Sequence, residues 1–142
     1  MQEETSESMP DPPTPGQLNP NELQQLFELA PFGIGVFDRY FRCRSVNQTL
    51  ADINGLSRED HYGKYLRDIV PTLAPVLEPL FQQIISSGIP KVELSLSGQT
   101  EAHQGQQRRW QAIYSPMLDE QGTPDGILTI VRDVTEQYEV QQ

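Results

Sequence analysis

Apolar positions along this chain change period several times, and each change marks an element. Leu23, Leu26, Phe27 and Ala30 recur three and four residues apart, which predicts an amphipathic helix. Asn19 suits its cap, Pro20 its first position, and Pro31 and Gly33 stop it. The period then falls to two. Ile34, Val36 and Phe37, then residues 41–46, read as two strands of a hairpin turning at Asp38-Arg39-Tyr40. Residues 47–68 carry short helical patches broken at Asn54-Gly55 and Gly63, with Ser57 as a local cap. A longer stripe, Val76, Leu77, Leu80, Phe81, Ile84 and Ile85, predicts a helix over 73–87. Pro79 is expected to bend or delay it, and Gly88 to end it.

Alternation returns at Val92, Leu94 and Leu96, a half-buried third strand. Residues 98–107 are polar and read as a long exposed loop. Two further alternating runs, 108–114 and 126–132, flank a turn at Asp119-Glu120-Gln121-Gly122, where Gly122 supplies a positive φ without steric cost. Five strands in this order, with one helical crossing between the second and third, predict an α+β domain. Its sheet is antiparallel, its small helices pack on one face, and an amphipathic helix precedes it.

Charge modifies this picture at one end. The chain has 142 residues, with 20 acidic against 10 basic, a net charge of −10. Glu3, Glu4, Glu7, Asp11 and Glu22 supply half of that within the first 22 residues, which hold no Lys or Arg. Pro10, Pro12, Pro13 and Pro15 break any helix there, so residues 1–19 are expected to be a disordered tail. So acidic a chain, without a basic stripe, gains little from phosphate contacts, and nucleic acid is not expected as a partner. Cys43 is the sole cysteine, so no intramolecular disulfide and no thiolate metal cluster can form. The first residues lack a secretory signal, and no apolar run approaches the ~20 residues that span a bilayer. A cytoplasmic location, without membrane contact by this segment, is the expectation.

The ordered pieces carry a resemblance. Ala30-Pro31-Phe32-Gly33-Ile34, then Val46-Asn47-Gln48-Thr49-Leu50-Ala51, then Gly55-Leu56-Ser57-Arg58-Glu59-Asp60 with Gly63, resemble the first half of a PAS domain. Trp110-Gln111-Ala112-Ile113-Tyr114-Ser115-Pro116, the turn at 119–122 and Gly126-Ile127 resemble its last hairpin. Asp133-Val134-Thr135-Glu136 matches the family's Asp-X-Thr exit motif. The resemblance runs from about Leu23 to Glu136. It implies a five-stranded antiparallel sheet flanked by small helices, and a module that senses or transmits a signal, often as a dimer, to a C-terminal effector. That effector would be a sensor histidine kinase of a two-component system or, alternatively, a cyclic-dinucleotide enzyme. The implied boundaries are 20–32 for the first helix, 33–136 for the PAS domain and 137–142 for the start of a linker helix.

Candidate chemistry is sparse. Asp133 can accept backbone N–H groups at a strand end, Thr135 can cap a helix starting at Glu136, and Glu136 favours that helix's positive end. These three residues are the expected transmission joint. Haem-binding relatives use a histidine on the long helix, and 73–87 has none; His61 and His103 lie elsewhere. The flavin photosensor's cysteine motif is absent, and Cys43 reads as a buried thiol. No phosphate loop, metal-type histidine pair or nucleophile elbow is present, so neither catalysis nor a bound metal is expected. A pocket, where one exists, lies between the inner sheet face and the long helix, lined by Val36, Val46, Ile69, Leu80, Phe81, Ile84, Leu94, Trp110, Ala112, Tyr114, Leu128 and Ile130. It would take an unidentified small molecule. Leu23, Leu26, Phe27 and Ala30 are the expected dimer contacts.

Overall fold

A computed structural model describes residues 14–137. The tail expected over 1–19 and the linker helix expected over 137–142 therefore lie largely outside the described residues. Element order is α1 (Pro20–Leu29), β1 (Gly33–Asp38), β2 (Cys43–Val46), α2 (Gln48–Asn54), α3 (Leu66–Ile69), α4 (Ala74–Ser87), β3 (Lys91–Gly98), a 3₁₀ turn (Glu101–His103), β4 (Arg108–Leu118) and β5 (Pro124–Asp133). The strands form one antiparallel sheet in the order β2-β1-β5-β4-β3. Helices α2 to α4 cover one face of it, which is the arrangement the periodicity predicts.

Helix α1 starts as expected. Asn19 Oδ1 accepts from the Glu22 N–H at 2.8 Å, and the Glu22 carboxylate accepts from the Asn19 N–H at 2.8 Å, a reciprocal capping box. Its far end is fixed by Asn47, a residue with no exposed surface. The Asn47 amide donates to Phe27 O at 2.9 Å and Phe32 O at 3.1 Å. Its Oδ1 accepts from the Ile34 N–H at 3.0 Å and the Leu50 N–H at 2.9 Å. One side chain thus joins the end of α1, the start of β1 and the cap of α2. Two further ties add to it: Thr49 Oγ1 donates to Ala30 O at 3.0 Å, and Arg58 pairs bidentately with Glu28 at 2.6 and 2.8 Å.

The sheet's inner face is set by residue size. Gly33 and Gly35 of β1 face α2, and a Cβ on Gly35 would stand 2.7 Å from Leu50 Cδ2. In register with them lie Thr129 and Val131 of β5, then Tyr114 and Ala112 of β4. Phe81 of α4 sits over this face, with ring centroids 5.9 Å from Phe37, 5.8 Å from Phe41 and 5.2 Å from Tyr114. Such tilted pairs are the preferred aromatic geometry.

Several sequence expectations change. Phe41 does not extend β2. Asp38 Oδ1 accepts from the Tyr40 and Arg42 N–H groups, and this closed turn holds Phe41 at φ +70°, with β2 starting at Cys43. Ser57 Oγ does accept from the Asp60 N–H at 3.1 Å, but turns follow instead of a helix. Pro79 lies within α4, which already begins at Ala74, so it does not delay the helix. Val92 is exposed because Glu93 adopts φ +56° and the β3–β4 register shifts between Lys91 and Leu94, a bulge that breaks the alternation. The polar loop is not simply exposed. Thr100 is buried and donates to Ile53 O at 2.8 Å, and the loop approaches Gly55 so closely that a Cβ there would lie 2.2 Å from Ala102 N.

Asn47→Ala would delete four hydrogen bonds and strand buried backbone groups, each such loss costing about 1 kcal/mol or more. We expect a destabilisation of about 3 kcal/mol in urea unfolding. A loss below about 1 kcal/mol would show that the neighbouring ties suffice without it.

Candidate functional site

Three places have site character: the end of β5, a cavity under the sheet, and the sheet's opposite face. At the first, Asp133 Oδ1 accepts from the Thr135 N–H at 2.9 Å, while Oδ2 accepts from Arg108 Nη2 at 2.9 Å. Partial burial by itself would raise the Asp133 pKa, but the Thr135 bonds and the Arg108 guanidinium outweigh it and hold the carboxyl below its ordinary value. Thr135 is buried, and among the described residues its hydroxyl bonds across to β4. It accepts from the Arg109 N–H at 2.8 Å and lies 3.4 Å from Arg109 O, the carbonyl that also accepts from the Val134 N–H at 2.9 Å. Helical backbone begins at Thr135 itself, and Glu136 stands exposed. The exit is therefore bonded to two consecutive residues of β4, a cross-strand lock that local capping rules do not reveal.

The cavity has a volume of about 50 Å³. Strands contribute Phe37, Leu96, Trp110, Tyr114, Thr129 and Val131 to its wall. Helix α2 adds Leu50, Ile53 and Asn54; Leu66, Ile69 and Val70 come from α3 and its end; Leu73, Leu77 and Phe81 come from α4 and its approach; Thr100 closes it from the loop. Of the pocket residues expected from sequence, Ile69, Phe81, Trp110 and Tyr114 line it. Val46, Ile84 and Ala112 are buried in the surrounding core, and Leu80 and Leu94 pack against that core partly exposed. Val36, Leu128 and Ile130 lie on the other side of the sheet, in register with Ile34 and Ile113. Both faces of β1 and β5 carry apolar residues, so hydrophobicity alone does not choose the phase; the inward glycines and Thr129 do.

Asn54 and Thr100 were missed because polar residues seldom announce themselves as cavity wall. Gly55, with φ +81° against the loop, is the signal that places them. Asn54 also engages His61, which is fully buried. The His61 Nδ1–H donates to Ser57 O at 2.8 Å, so Nε2 is left to accept from the Asn54 amide at 3.1 Å. Burial lowers the His61 pKa, with Ser57 and Asp60 opposing the shift. Cys43 is buried, and burial pushes its thiol up to about 12, far from a reactive thiolate. No histidine or cysteine lines the cavity. Among the described residues, no cluster of three or more His, Cys, Asp or Glu could hold a metal ion. No helix among them is long and apolar enough to cross a membrane.

The opposite face joins α1. Leu23, Leu26 and Leu29 of α1 are exposed, Leu29 to 80%. Phe27 is half-buried and Ala30 buried, so the expected dimer stripe divides between solvent and the domain's own surface. A groove of about 540 Å³ runs along these residues to Phe32 and Ile34. Phe32 also borders a second, of about 340 Å³, formed by Glu93, Gln111, Ile113, Ile130 and Arg132.

A family model for the PAS fold matches residues 27–139, and the chain belongs to that family. It is a PAS sensor domain, with the five-stranded sheet its relatives show. Comparison with curated proteins finds no match. Among solved structures, the chain is similar to VqmA of Vibrio cholerae in a complex with ligand and DNA, at 21% identity and a TM-score of 0.72, covering 85% of this chain and 54% of that one. The PAS domain of Bordetella pertussis BvgS matches at 22% identity and a TM-score of 0.65, covering 84% and 88%. A sensory box sensor histidine kinase of V. cholerae matches at 19% and 0.59, covering 80% and 90%. This chain spans about half the length of the VqmA chain. With a DNA complex among these likenesses, the expectation that nucleic acid is no partner loses its support. In all, 258 solved chains match, so the fold by itself selects no stimulus.

The neutral His61 ring makes a testable link between pH and stability. In the unfolded chain the ring titrates near its ordinary 6.5, and in the folded chain lower. The unfolded state therefore takes up the proton first, and the stabilisation, complete above pH 6.5, is lost as pH falls toward the folded pKa. The lowered carboxyls of Glu28, Asp38 and Asp133 act in a more acidic window. Urea unfolding from pH 8 down to about 5.5 should show falling stability in the native chain and a flat profile in His61→Gln. An equal slope in both would assign the loss to another group.

Proposed function

We propose that this chain is the sensing and transmitting module of a larger bacterial signalling protein, working in the cytoplasm as a homodimer with no catalysis of its own. The lock at the end of β5 carries this reading. Arg108 and Arg109 hold both Asp133 and Thr135, so a shift of β4 is passed to the segment that starts at Thr135. The effector in this reading is a histidine kinase, supported by the likeness to the V. cholerae sensor histidine kinase over 90% of that chain. The VqmA likeness supports a DNA-binding effector instead, and a cyclic-dinucleotide enzyme is the further alternative.

The dimer is favoured by the apolar surface that α1 and the outer sheet face share. VqmA, which resembles this chain, is described as a dimer. A second copy of the same surface would cover Leu26, Leu29, Ile113 and Ile130 together. A second reading, a sensor that binds a small molecule, is favoured by the cavity; VqmA has been seen bound to DPO. That reading leaves haem and flavin aside, because a cavity of about 50 Å³ is far smaller than either group and its wall offers no histidine to an iron.

In the parent protein, Thr135→Val should change effector output about tenfold, since the hydroxyl's cross-strand bonds are lost while the shape is kept. Light scattering and circular dichroism should show fold and assembly intact. Unchanged output would sink the transmission reading. Separately, the double substitution Leu26→Asp with Leu29→Asp should convert the dimer to a monomer. A native chain that remains monomeric across the concentration range would remove the dimer from the proposal.

A further inference from the structure

Among the described residues, Trp110 Nε1 is the one buried side-chain nitrogen or oxygen for which no protein group serves as hydrogen-bond partner. Trp110 is 2% exposed and lines the cavity. Its Cζ3 edge lies toward Gly98, 3.6 Å from where a Cβ would stand, so the N–H is on the other edge of the ring. A buried donor left unsatisfied costs about 1–3 kcal/mol. Sheet positions of this kind are easily filled by Phe or Leu, which carry no such donor. An indole there, over a cavity, is chemistry in search of an acceptor.

The other polar groups in the wall narrow the choice. The hydroxyls of Thr129 and Thr100 already donate, to Gly35 O at 3.1 Å and Ile53 O at 2.8 Å. They keep lone pairs but no free proton. Asn54 directs its amide to His61. Burial raises the Tyr114 pKa, so it stays a neutral phenol. Among the described residues, no acidic or basic side chain lines the cavity, and an ion would find none of them to pair with. The space, about 50 Å³, is a third of the ~150 Å³ that accommodates benzene in an apolar core site. Leu73, Leu96 and Ile53 are its partly exposed members, the side chains able to give way.

Resting on the small-molecule reading above, we propose that Trp110 is the recognition residue of the cavity. Its ligand is a small, uncharged, mostly apolar molecule, no larger than a single ring, that presents one hydrogen-bond acceptor to the indole N–H. A heteroaromatic nitrogen or a carbonyl oxygen meets that description; a carboxylate, an amine or a lipid chain does not.

The test uses pyridine and benzene as probes at pH 7.5, a matched pair differing in one acceptor. Trp110 is the only tryptophan of the chain, so its indole N–H gives one identifiable signal in a ¹⁵N–¹H spectrum. Methyl signals of Ile69 and Val131 report occupancy of the cavity independently. Pyridine should move the indole signal downfield and bind about fivefold tighter than benzene, the difference one net hydrogen bond makes. Trp110→Phe, checked for native folding by its methyl spectrum, should bind both probes equally. Methyl shifts with an unmoved indole signal, or a pyridine preference that survives in Trp110→Phe, would overturn the assignment to Trp110 and leave the small-molecule reading standing. Should neither probe move the Ile69 or Val131 methyls, that reading falls and this one with it.

Discussion

The side-chain amide of Asn47 is the constraint on which the rest of this structure depends. An amide has two donors and an acceptor with two lone pairs, and here all four capacities are used by main-chain groups from three elements. No other side chain of similar size could do this. Aspartate lacks the donors, leucine lacks both, and glutamine is longer by one methylene. The result is that the last turn of α1, the first residue pair of β1 and the cap of α2 have a single relative placement. That placement brings Leu50 onto the two inward glycines of β1, and it makes glycine necessary there.

The same logic of one group serving several elements recurs at the other end. Asp133 gives one oxygen to its own chain and the other to a neighbouring strand, while Thr135 bonds to the backbone of Arg109. Strands β1 and β5 are adjacent in the sheet. The segment entering through α1 and the segment leaving after Thr135 are therefore both tied to the central strands, on opposite sides of β5. Loop 98–107 completes the core from a third direction, through Thr100 and the close approach to Gly55.

Much of this was legible in the sequence, and the part that was not has physical reasons. The α1 cap, the long helix and the final hairpin follow from local rules, because their signals lie within a few residues of one another. Asn47 could be read as part of a strand-to-helix passage but not as an anchor for Phe27, twenty residues away. The inward phase of β1 and β5 was obscured because Val36, Leu128 and Ile130 are as apolar as any core residue. The sheet is apolar on two sides, and a period of two then carries no polarity. Thr135 was legible as a polar residue at a helix start, and its use of the neighbouring strand was not, since that depends on the β4–β5 register. Asn54 and Thr100 look like solvent residues until the glycine between α2 and its turn is recognised as a close approach.

The kink at Glu93 has a consequence for how copies of this domain can meet. Strand β3 forms one margin of the sheet, and its positive φ and register shift interrupt the row of main-chain donors and acceptors that such a margin would otherwise offer. At the other margin, β2 is only four residues long. Neither side is a good template for adding strand upon strand. In the proposed dimer, contact would fall instead to the broad apolar face, where a twofold arrangement would use the surface up. Margins of this kind also work against growth into fibres.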